Sequence, residues 1–353
     1  MKRIALLSFN YPENLKRAKC YINNRGANEV TLVMFFEHGN NMIPCIDIDS
    51  EIKIITKEEF VANDYDLVLP MTDKLVNFLL DNCYPGSLNL NNKRTLQKAL
   101  KDSGFMDFLK SNVTNSASEF SDGEYVIMKP SVSSGSYSAN PLCYRKIKFE
   151  KVKAFFDDPS FFIQEFIDSK DIILFTFMCD GDELILCENW LQEFVQSEAS
   201  NSFFLPFMKN GKEIKNKYSF LIDLFIKFTE LHNYTKIKGV FGIQYLVKGD
   251  RFVLIDLNMR TGPVLVEVEL NNLYDCRFFK GLPFLIGDKS QIPYLRGDDV
   301  EVNTIVYSET LDGRRMTDSE YVVDEETRIL IKSNKKSGVF RNDYNVYIQR
   351  LKD

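Results

Sequence analysis

Gly239 to Arg260, GVFGIQYLVKGDRFVLIDLNMR, is the stretch whose reading decides the fold. Apolar and polar residues alternate on both sides of Lys248-Gly249-Asp250, the pattern of two antiparallel strands joined by a tight turn. Centred on Asp250, such a hairpin sets Gln244 opposite Asp256 and Gly242 opposite Asn258. Side chains alternate faces along a strand, so Gln244, Asp256 and Asn258 share one face. Ile243, Tyr245, Val247, Val253, Ile255 and Leu257 share the other and are expected to supply core. Three oxygen-bearing side chains on one face suit a hard cation such as Mg²⁺, which combines carboxylate or amide oxygens with phosphate oxygens. Arg260 follows at once, placed to hold a phosphoryl group bidentately. A plainer reading has Asp256 and Asn258 simply ending a strand, so the neighbouring segments must decide.

Composition narrows the class. At 353 residues the chain is too long for one simple core and suits two or three subdomains. Hydrophobic residues at 44% and charged residues at 27% are ordinary for a globular enzyme. A net charge of −6 argues against a broad nucleic-acid surface. No segment approaches the ~20 apolar residues needed to span a bilayer, and the apolar run after Met1-Lys2-Arg3 is too brief for a secretory signal. Seven cysteines, scattered and without CxxC spacing, give neither a disulfide framework nor a zinc site, so the chain reads as reduced and cytoplasmic. The two histidines, His38 and His232, far apart in sequence, argue against chemistry built on several histidines.

Outward from the hairpin, residues 1–90 read as an alternating α/β unit. Strands are expected at Ile4–Ser8, Val30–Phe36 and Asp66–Leu69. A helix is expected over Glu13–Asn23, entered through Pro12, and another begins at a Thr72 cap with Leu75, Val76, Leu79 and Leu80 on its apolar face. The carboxyl ends of these strands, near Asn10 and Thr72-Asp73, are where such a sheet binds ligands. Neither GxGxxG after the first strand nor GxxxxGK[ST] anywhere is present, which removes the dinucleotide fingerprint and the ordinary P-loop. Asn91 or Asn92 can cap a helix with Leu96, Ala99 and Leu100 on its apolar face, and Gly104 suits the left-handed position after its end. Asp122-Gly123 precedes a strand at Tyr125–Lys129, followed by a small-residue loop, Ser131-Val132-Ser133-Ser134-Gly135-Ser136. Phe161–Glu165 reads as a strand, Asp171–Glu188 as a hairpin turning at Asp180-Gly181-Asp182. Tyr218–His232 reads as an amphipathic helix with Leu221, Leu224, Phe225, Phe228 and Leu231 on one stripe. Short strands and polar turns fill the chain beyond about 290.

Taken in order, these segments resemble the ATP-grasp superfamily, whose metal strand carries an acidic residue, any residue, Asn, any residue, Arg. The resemblance covers about Asn91 to Pro263, and the fold it implies is α/β and α+β. An N-terminal α/β (pre-ATP-grasp) domain would occupy 1–90, an ATP-grasp domain 91–290 with a lid lobe at about 120–167, and a C-terminal β-rich extension 291–353. Lys93 opens its helix where the family sets a basic residue against ATP phosphates, although Asn92 stands where Asp is common. Lys129, in KPSVSSGS, corresponds to the lysine ahead of the family's phosphate loop, with Ser133, Ser134 and Gly135 in that loop. Gln164, Glu165, Phe166 and Ile167 resemble the strand that holds adenine, and Asp171 falls where an acid binds ribose. Gln244, Asp256 and Asn258 correspond to the metal ligands. Gln rather than Glu at 244 is similar to the carbamoyl-phosphate synthase large-subunit branch, here with a single ATP-grasp unit.

The activity that this resemblance implies is an ATP-dependent ligase using Mg²⁺ (or Mn²⁺), with small-molecule carboxylate and amine substrates. A carboxylate would take the γ-phosphoryl group to form an acyl phosphate, and an amine would then displace phosphate. Arg260 and Lys129 are the catalytic candidates; Asn10, Thr72, Asp73 and Thr261 are candidates for the substrate pocket. Three alternatives stay open: phosphorylation of bicarbonate or carbamate, a kinase with a hydroxyl acceptor, and a nucleotide-binding scaffold without turnover. The tail beyond 290 is equally compatible with a lid, a homodimer surface and a functionless face. No nucleic-acid or membrane partner is expected.

Overall fold

The run Ile4-Ala5-Leu6-Leu7 is apolar without alternation, as a strand covered on both faces requires. In the computed structural model, which describes residues 2–8, 28–35, 52–70, 73–105, 117–132, 140–169, 171–193, 207–210, 212–260, 281, 283–292, 320–324, 329–335 and 344–350, all four residues are buried. They lie in β1 (Lys2–Ser8), which pairs in parallel with β2 (Asn28–Phe35) and β4 (Leu67–Pro70). The sheet order is β3-β2-β1-β4. β3 (Ile52–Ile55) was not anticipated, because a four-residue edge strand shows no resolvable period. The order switches direction between β1 and β4, and α1 (Asp73–Cys83) leaves the carboxyl end of β4 there. Leu75, Val76, Leu79 and Leu80 of α1 are buried as their spacing predicts. The expected helix over Glu13–Asn23 and the Thr72 cap lie outside the described residues.

α2 (Lys93–Asp102) starts where the Asn92 side chain accepts from the Arg94 and Thr95 amides at 3.0 and 3.3 Å. It ends before Gly104, whose φ of +73° is the left-handed conformation expected there. Leu96, Ala99 and Leu100 are buried against the large sheet. Next comes a small antiparallel sheet of order β6-β5-β7, from β5 (Tyr125–Pro130), β6 (Ile147–Lys148) and β7 (Phe161–Glu165). Its outer face closes over Val126, Met128, Phe149 and Ile163.

The large sheet runs β10-β9-β8-β11-β12. It consists of β8 (Asp171–Cys179), β9 (Leu184–Glu193), β10 (Phe207–Asn210), β11 (Gly239–Lys248) and β12 (Arg251–Asn258), all antiparallel. Short α3 (Lys212–Lys217) precedes α4 (Ser219–Leu231). Of the expected α4 stripe, Leu221, Phe225 and Phe228 are buried and Leu224 is partly so. Leu231 is 59% exposed, because it is the last helical residue; Ile222 is buried instead. A further antiparallel sheet, β13-β14-β15, is formed by Glu320–Asp324, Ile329–Lys335 and Tyr344–Arg350.

The β11–β12 hairpin corrects one expectation and keeps another. Its turn is the two-residue Gly249-Asp250, with Gly249 at φ +62°, so Lys248 pairs with Arg251 and Tyr245 with Leu254. Ile255 is then the extra residue of a bulge, which returns Gln244 opposite Asp256 and Gly242 opposite Asn258. A bulge exchanges the faces on either side of it. Leu254 therefore joins Tyr245, Ile243 and Leu257 in the main core, whereas Val253 and Ile255 turn the other way to pack with Phe162 of the small sheet.

The buried Tyr234 hydroxyl accepts from the Leu90 amide at 3.0 Å and donates to the Leu88 carbonyl, tying the end of α4 to the approach of α2. Tyr234→Phe leaves both backbone groups without that partner and is expected to destabilise the fold by about 1–3 kcal/mol. Chemical denaturation measures this; a loss below about 0.5 kcal/mol would contradict the assignment.

Candidate functional site

Asp256 and Asn258 stand on the face of β12 that the bulge turns away from the main core, with Gln244 alongside on β11. The first turn of α2 packs across this end of the sheet, and Lys93 Nζ reaches Asp256 Oδ1 at 3.2 Å. Asn258 Nδ2 donates to Asp256 Oδ2 at 3.3 Å. From the small sheet, Lys129 Nζ donates to Gln164 Oε1 at 3.4 Å. Lys129 pairs with Phe162 across β5 and β7, so Lys129, Phe162 and Gln164 share the face toward the large sheet.

Electrostatics bind these groups together. Burial, reinforced by the charge of Lys93, brings Lys129 down to about 8, with Asp256 opposing. Burial alone would raise the Asp256 carboxyl, yet the charges of Lys93, Lys129 and Arg260 hold it below the ordinary carboxylate value. Arg260 makes a bidentate pair with Asp73 at the start of α1, Nε to Oδ1 and Nη2 to Oδ2 at 2.7 Å each, both side chains buried. Lys93, Lys129 and Arg260 thus face Asp256 and Asp73: three cations against two carboxylates.

Unsatisfied polar atoms gather at the same place. Among the described residues, four buried side-chain polar atoms lack a hydrogen-bond partner: Asn89 Oδ1, Gln97 Oε1, Ser131 Oγ and Gln164 Nε2. Three belong to residues adjoining the charge cluster. Gln164 holds Lys129, the Ser131 carbonyl accepts the Lys93 amide at 2.8 Å, and Gln97 reaches the Leu254 carbonyl at 3.4 Å, two residues from Asp256. Groups left in this state commonly mark a place built for a polar ligand. Beside them Phe162 and Val253, with Ile167, Leu246 and Ile255, form a small apolar wall between the two sheets.

A divalent ion fits this donor set in a particular way. Asp256 is ionised and its side chain keeps 23% of its surface open, and the amide oxygens of Gln244 and Asn258 are hard donors. Among the described residues no group of three or more His, Cys, Asp or Glu is assembled for a metal. One carboxylate and two amides suit an ion that takes its remaining ligands from phosphate oxygens and water.

Other expected site residues lie elsewhere or outside the described set. Asn10, Thr72, Ser133, Ser134, Gly135 and Thr261 are outside it. Glu165 has the pleat parity of Ile163, opposite to Gln164, and is held by Arg251 at 2.8 and 3.2 Å. Asp171 opens β8 with the parity of core-facing Ile173 and is not brought to the lysines. The Phe166 amide donates to the Tyr125 carbonyl at 3.0 Å, and the Ile167 carbonyl accepts from the Ser169 amide at 2.9 Å. Asp73 was expected to line a substrate pocket; its carboxylate is engaged with Arg260. Sequence reasoning missed Arg94, whose guanidinium binds three carbonyls of the small sheet region. A second cation in a helix's first turn opposes the helix dipole, and that was the available signal.

The small sheet and the large sheet meet over a buried, cation-rich seam. Residues 90–263 match the family model of the ATP-grasp domain, so the chain carries an ATP-grasp domain. No curated protein matches the chain in sequence. Among solved structures, an L-amino acid ligase from Bacillus licheniformis is similar at TM-score 0.50 and 11% identity, covering 74% of this chain and 68% of the ligase. An N5-carboxyaminoimidazole synthetase from Staphylococcus aureus, complexed with ADP, gives TM-score 0.50 and 11% identity over 74% of this chain and 71% of its own. A biotin carboxylase–β-γ-ATP complex from Campylobacter jejuni gives TM-score 0.51 and 13% identity over 86% and 73%. At these identities the likeness establishes the fold.

The lowered Lys129 has a consequence for stability. Between about 8 and the ordinary 10.5, the unfolded chain binds a proton at Lys129 that the folded chain has released, so this group's contribution to stability rises with pH across that window. The difference in unfolding free energy between the parent chain and Lys129→Met is expected to shift in favour of the parent as pH rises from 8 to 10.5. A pH-independent difference would show that Lys129 is not held in the buried, cation-crowded site described.

Proposed function

We propose that the chain is an ATP-dependent ligase that activates a carboxylate as an acyl phosphate and joins it to an amine, releasing ADP and phosphate. The carrying observation is the excess of buried cations over carboxylates in the seam of an ATP-grasp fold, beside orphaned polar atoms and an apolar wall. A polyphosphate meets the first two demands, and a purine meets the third.

In this reading Lys93 and Lys129 hold the polyphosphate, and Phe162 and Val253 flank the base near Gln164, Phe166 and Ile167. Glu165 acts through Arg251, whereas Asp171, with the core-facing parity of Ile173, takes no part in this arrangement. Ser133, Ser134 and Gly135 complete the phosphate contacts. Gln244, Asp256 and Asn258 would hold Mg²⁺ or Mn²⁺, which supplies charge neutralisation at the phosphate oxygens when bound. For Asp256 to do so, Lys93 must exchange its carboxylate for phosphate, a move between adjacent anions. Phosphoryl transfer asks chiefly for positioning and charge compensation. The substrate carboxylate oxygen attacks the γ-phosphorus, the bond to the bridging oxygen breaks, and ADP departs. The amine then attacks the acyl carbon and phosphate leaves. Arg260, oriented by Asp73, steadies the transferred group, and an anion reaching it must share or replace the Asp73 carboxylate. Thr261, Thr72 and Asn10 are assigned to the carboxylate and amine substrates.

This reading assigns the nucleotide to an ATP-grasp domain at 91–290, with its lid lobe at about 120–167, and leaves 1–90 to help form the substrate side. Four described cysteines are free thiols, in keeping with a cytoplasmic setting. No helix of the described residues is long and apolar enough to cross a membrane.

Incubation with ATP, Mg²⁺, hydroxylamine and a panel of amino acids and small carboxylates is expected to yield a hydroxamate together with ADP and phosphate. ADP without free phosphate would indicate a kinase instead, and neither product would indicate a binding protein. Asp256→Ala is expected to lower ADP formation by at least about 100-fold. Undiminished turnover in that variant would remove Asp256 from the metal site.

A further inference from the structure

β7 carries the residues that face the proposed nucleotide, yet it is held at both ends by arginines from outside its own sheet. At its beginning, Arg94 Nε donates to the Phe161 carbonyl at 2.5 Å, and Arg94 Nη2 to the carbonyls of Phe156 and Asp158 at 2.5 and 2.8 Å. At its end, Arg251 Nη1 and Nη2 grip the two Glu165 oxygens at 3.2 and 2.8 Å. Between these points Phe162 packs on Val253, and Gln164 accepts from Lys129.

Both arginines stand on the elements that supply the opposite wall of the site. Arg94 follows Lys93 on α2, and Arg251 opens β12, which ends in Asp256 and Asn258. A guanidinium fork can satisfy three carbonyls from one rigid plane, whereas an ammonium gathers its donors at a single point. A cation in the first turn of α2 runs against the helix dipole, so Arg94 is favoured only through these carbonyls. Displacing β7 by one residue would turn Gln164 away from Lys129 and present Ile163 in its place.

We propose that Arg94 and Arg251 are positioning residues that clamp β7 at its two ends and so hold Gln164 and the strand's exit at the spacing the nucleotide requires. The proposal rests on the nucleotide-binding reading given above. It makes the two lobes one unit along β7, with the base-facing strand registered directly to the helix and strand that face the phosphates.

The test uses the full chain, as parent, Arg94→Lys, Arg251→Gln and the double variant. Affinity for ATP with Mg²⁺ is measured by calorimetry, stability by thermal melting, and strand order by amide hydrogen exchange over 161–167 without nucleotide. Each single variant is expected to weaken ATP binding about 3- to 10-fold and the double variant more than about 30-fold, as lost charge-assisted hydrogen bonds imply. The 161–167 amides are expected to exchange at least about tenfold faster, while those of β11 keep their protection. Unchanged affinity in the double variant, with or without a lower melting temperature, would overturn the proposal, as would unchanged exchange over 161–167. If Arg94→Lys does not fold, Arg251→Gln, at the more exposed end, decides on the same criteria. A parent chain that binds no ATP sinks the nucleotide reading; the exchange measurement then still decides whether the clamp exists.

Discussion

The ion pair between Lys93 and Asp256 is the contact on which the seam depends. A lysine in the first turn of a helix points a positive charge at the positive end of the helix dipole, and burial adds a desolvation cost. Asp256 offsets both, and it does so from a different element of the fold. Once that pair is made, the N-terminus of α2 is fixed on the end of β12. The Lys93 amide donates to Ser131 at the exit of β5, and Arg94 reaches the carbonyls that lead into β7. Lys129 is then buried near a second ammonium, which lowers its proton affinity. The result is a group of charges that is balanced only in part, as a site awaiting an anion would be.

A second buried pair joins the N-terminal sheet to this seam. Asp73 leaves the carboxyl end of β4, beside the point where that sheet's strand order reverses, and holds Arg260 two residues beyond Asn258. Burying both partners costs desolvation that a bidentate geometry can offset, and losing either alone would strand a buried charge. The pair therefore orients Arg260 and also fixes how the first α/β unit meets the ATP-grasp domain.

Much of this was legible in the sequence because it is governed by short-range rules. The alternation around Gly249-Asp250 identified the hairpin, Asn92 and Gly104 bracketed α2, and Phe161–Glu165 was bounded correctly as a strand. The pairing of Gln244 with Asp256 was also correct, although a two-residue turn and a bulge at Ile255 together produced it. That bulge was not readable, since Val253 to Leu257 is apolar at both parities apart from Asp256, and so Val253 and Ile255 were assigned to the wrong face. Leu231 fits the helical period but is the last residue of α4 and 59% exposed, which periodicity does not register. The hydrogen bonds described above for Arg94, Arg251 and Arg260 reach across 62 to 187 residues of sequence. No local pattern specifies such pairings; they follow from tertiary placement alone.

The most direct test is a crystal structure of the chain with Mg²⁺ and a non-hydrolysable ATP analogue. The account predicts phosphates between Lys93 and Lys129, the base against Phe162 and Val253, and Lys93 moved from Asp256 onto a phosphate oxygen. Nucleotide density away from this seam, or a nucleotide bound there with the Lys93–Asp256 pair intact and no ion on Asp256, would contradict it.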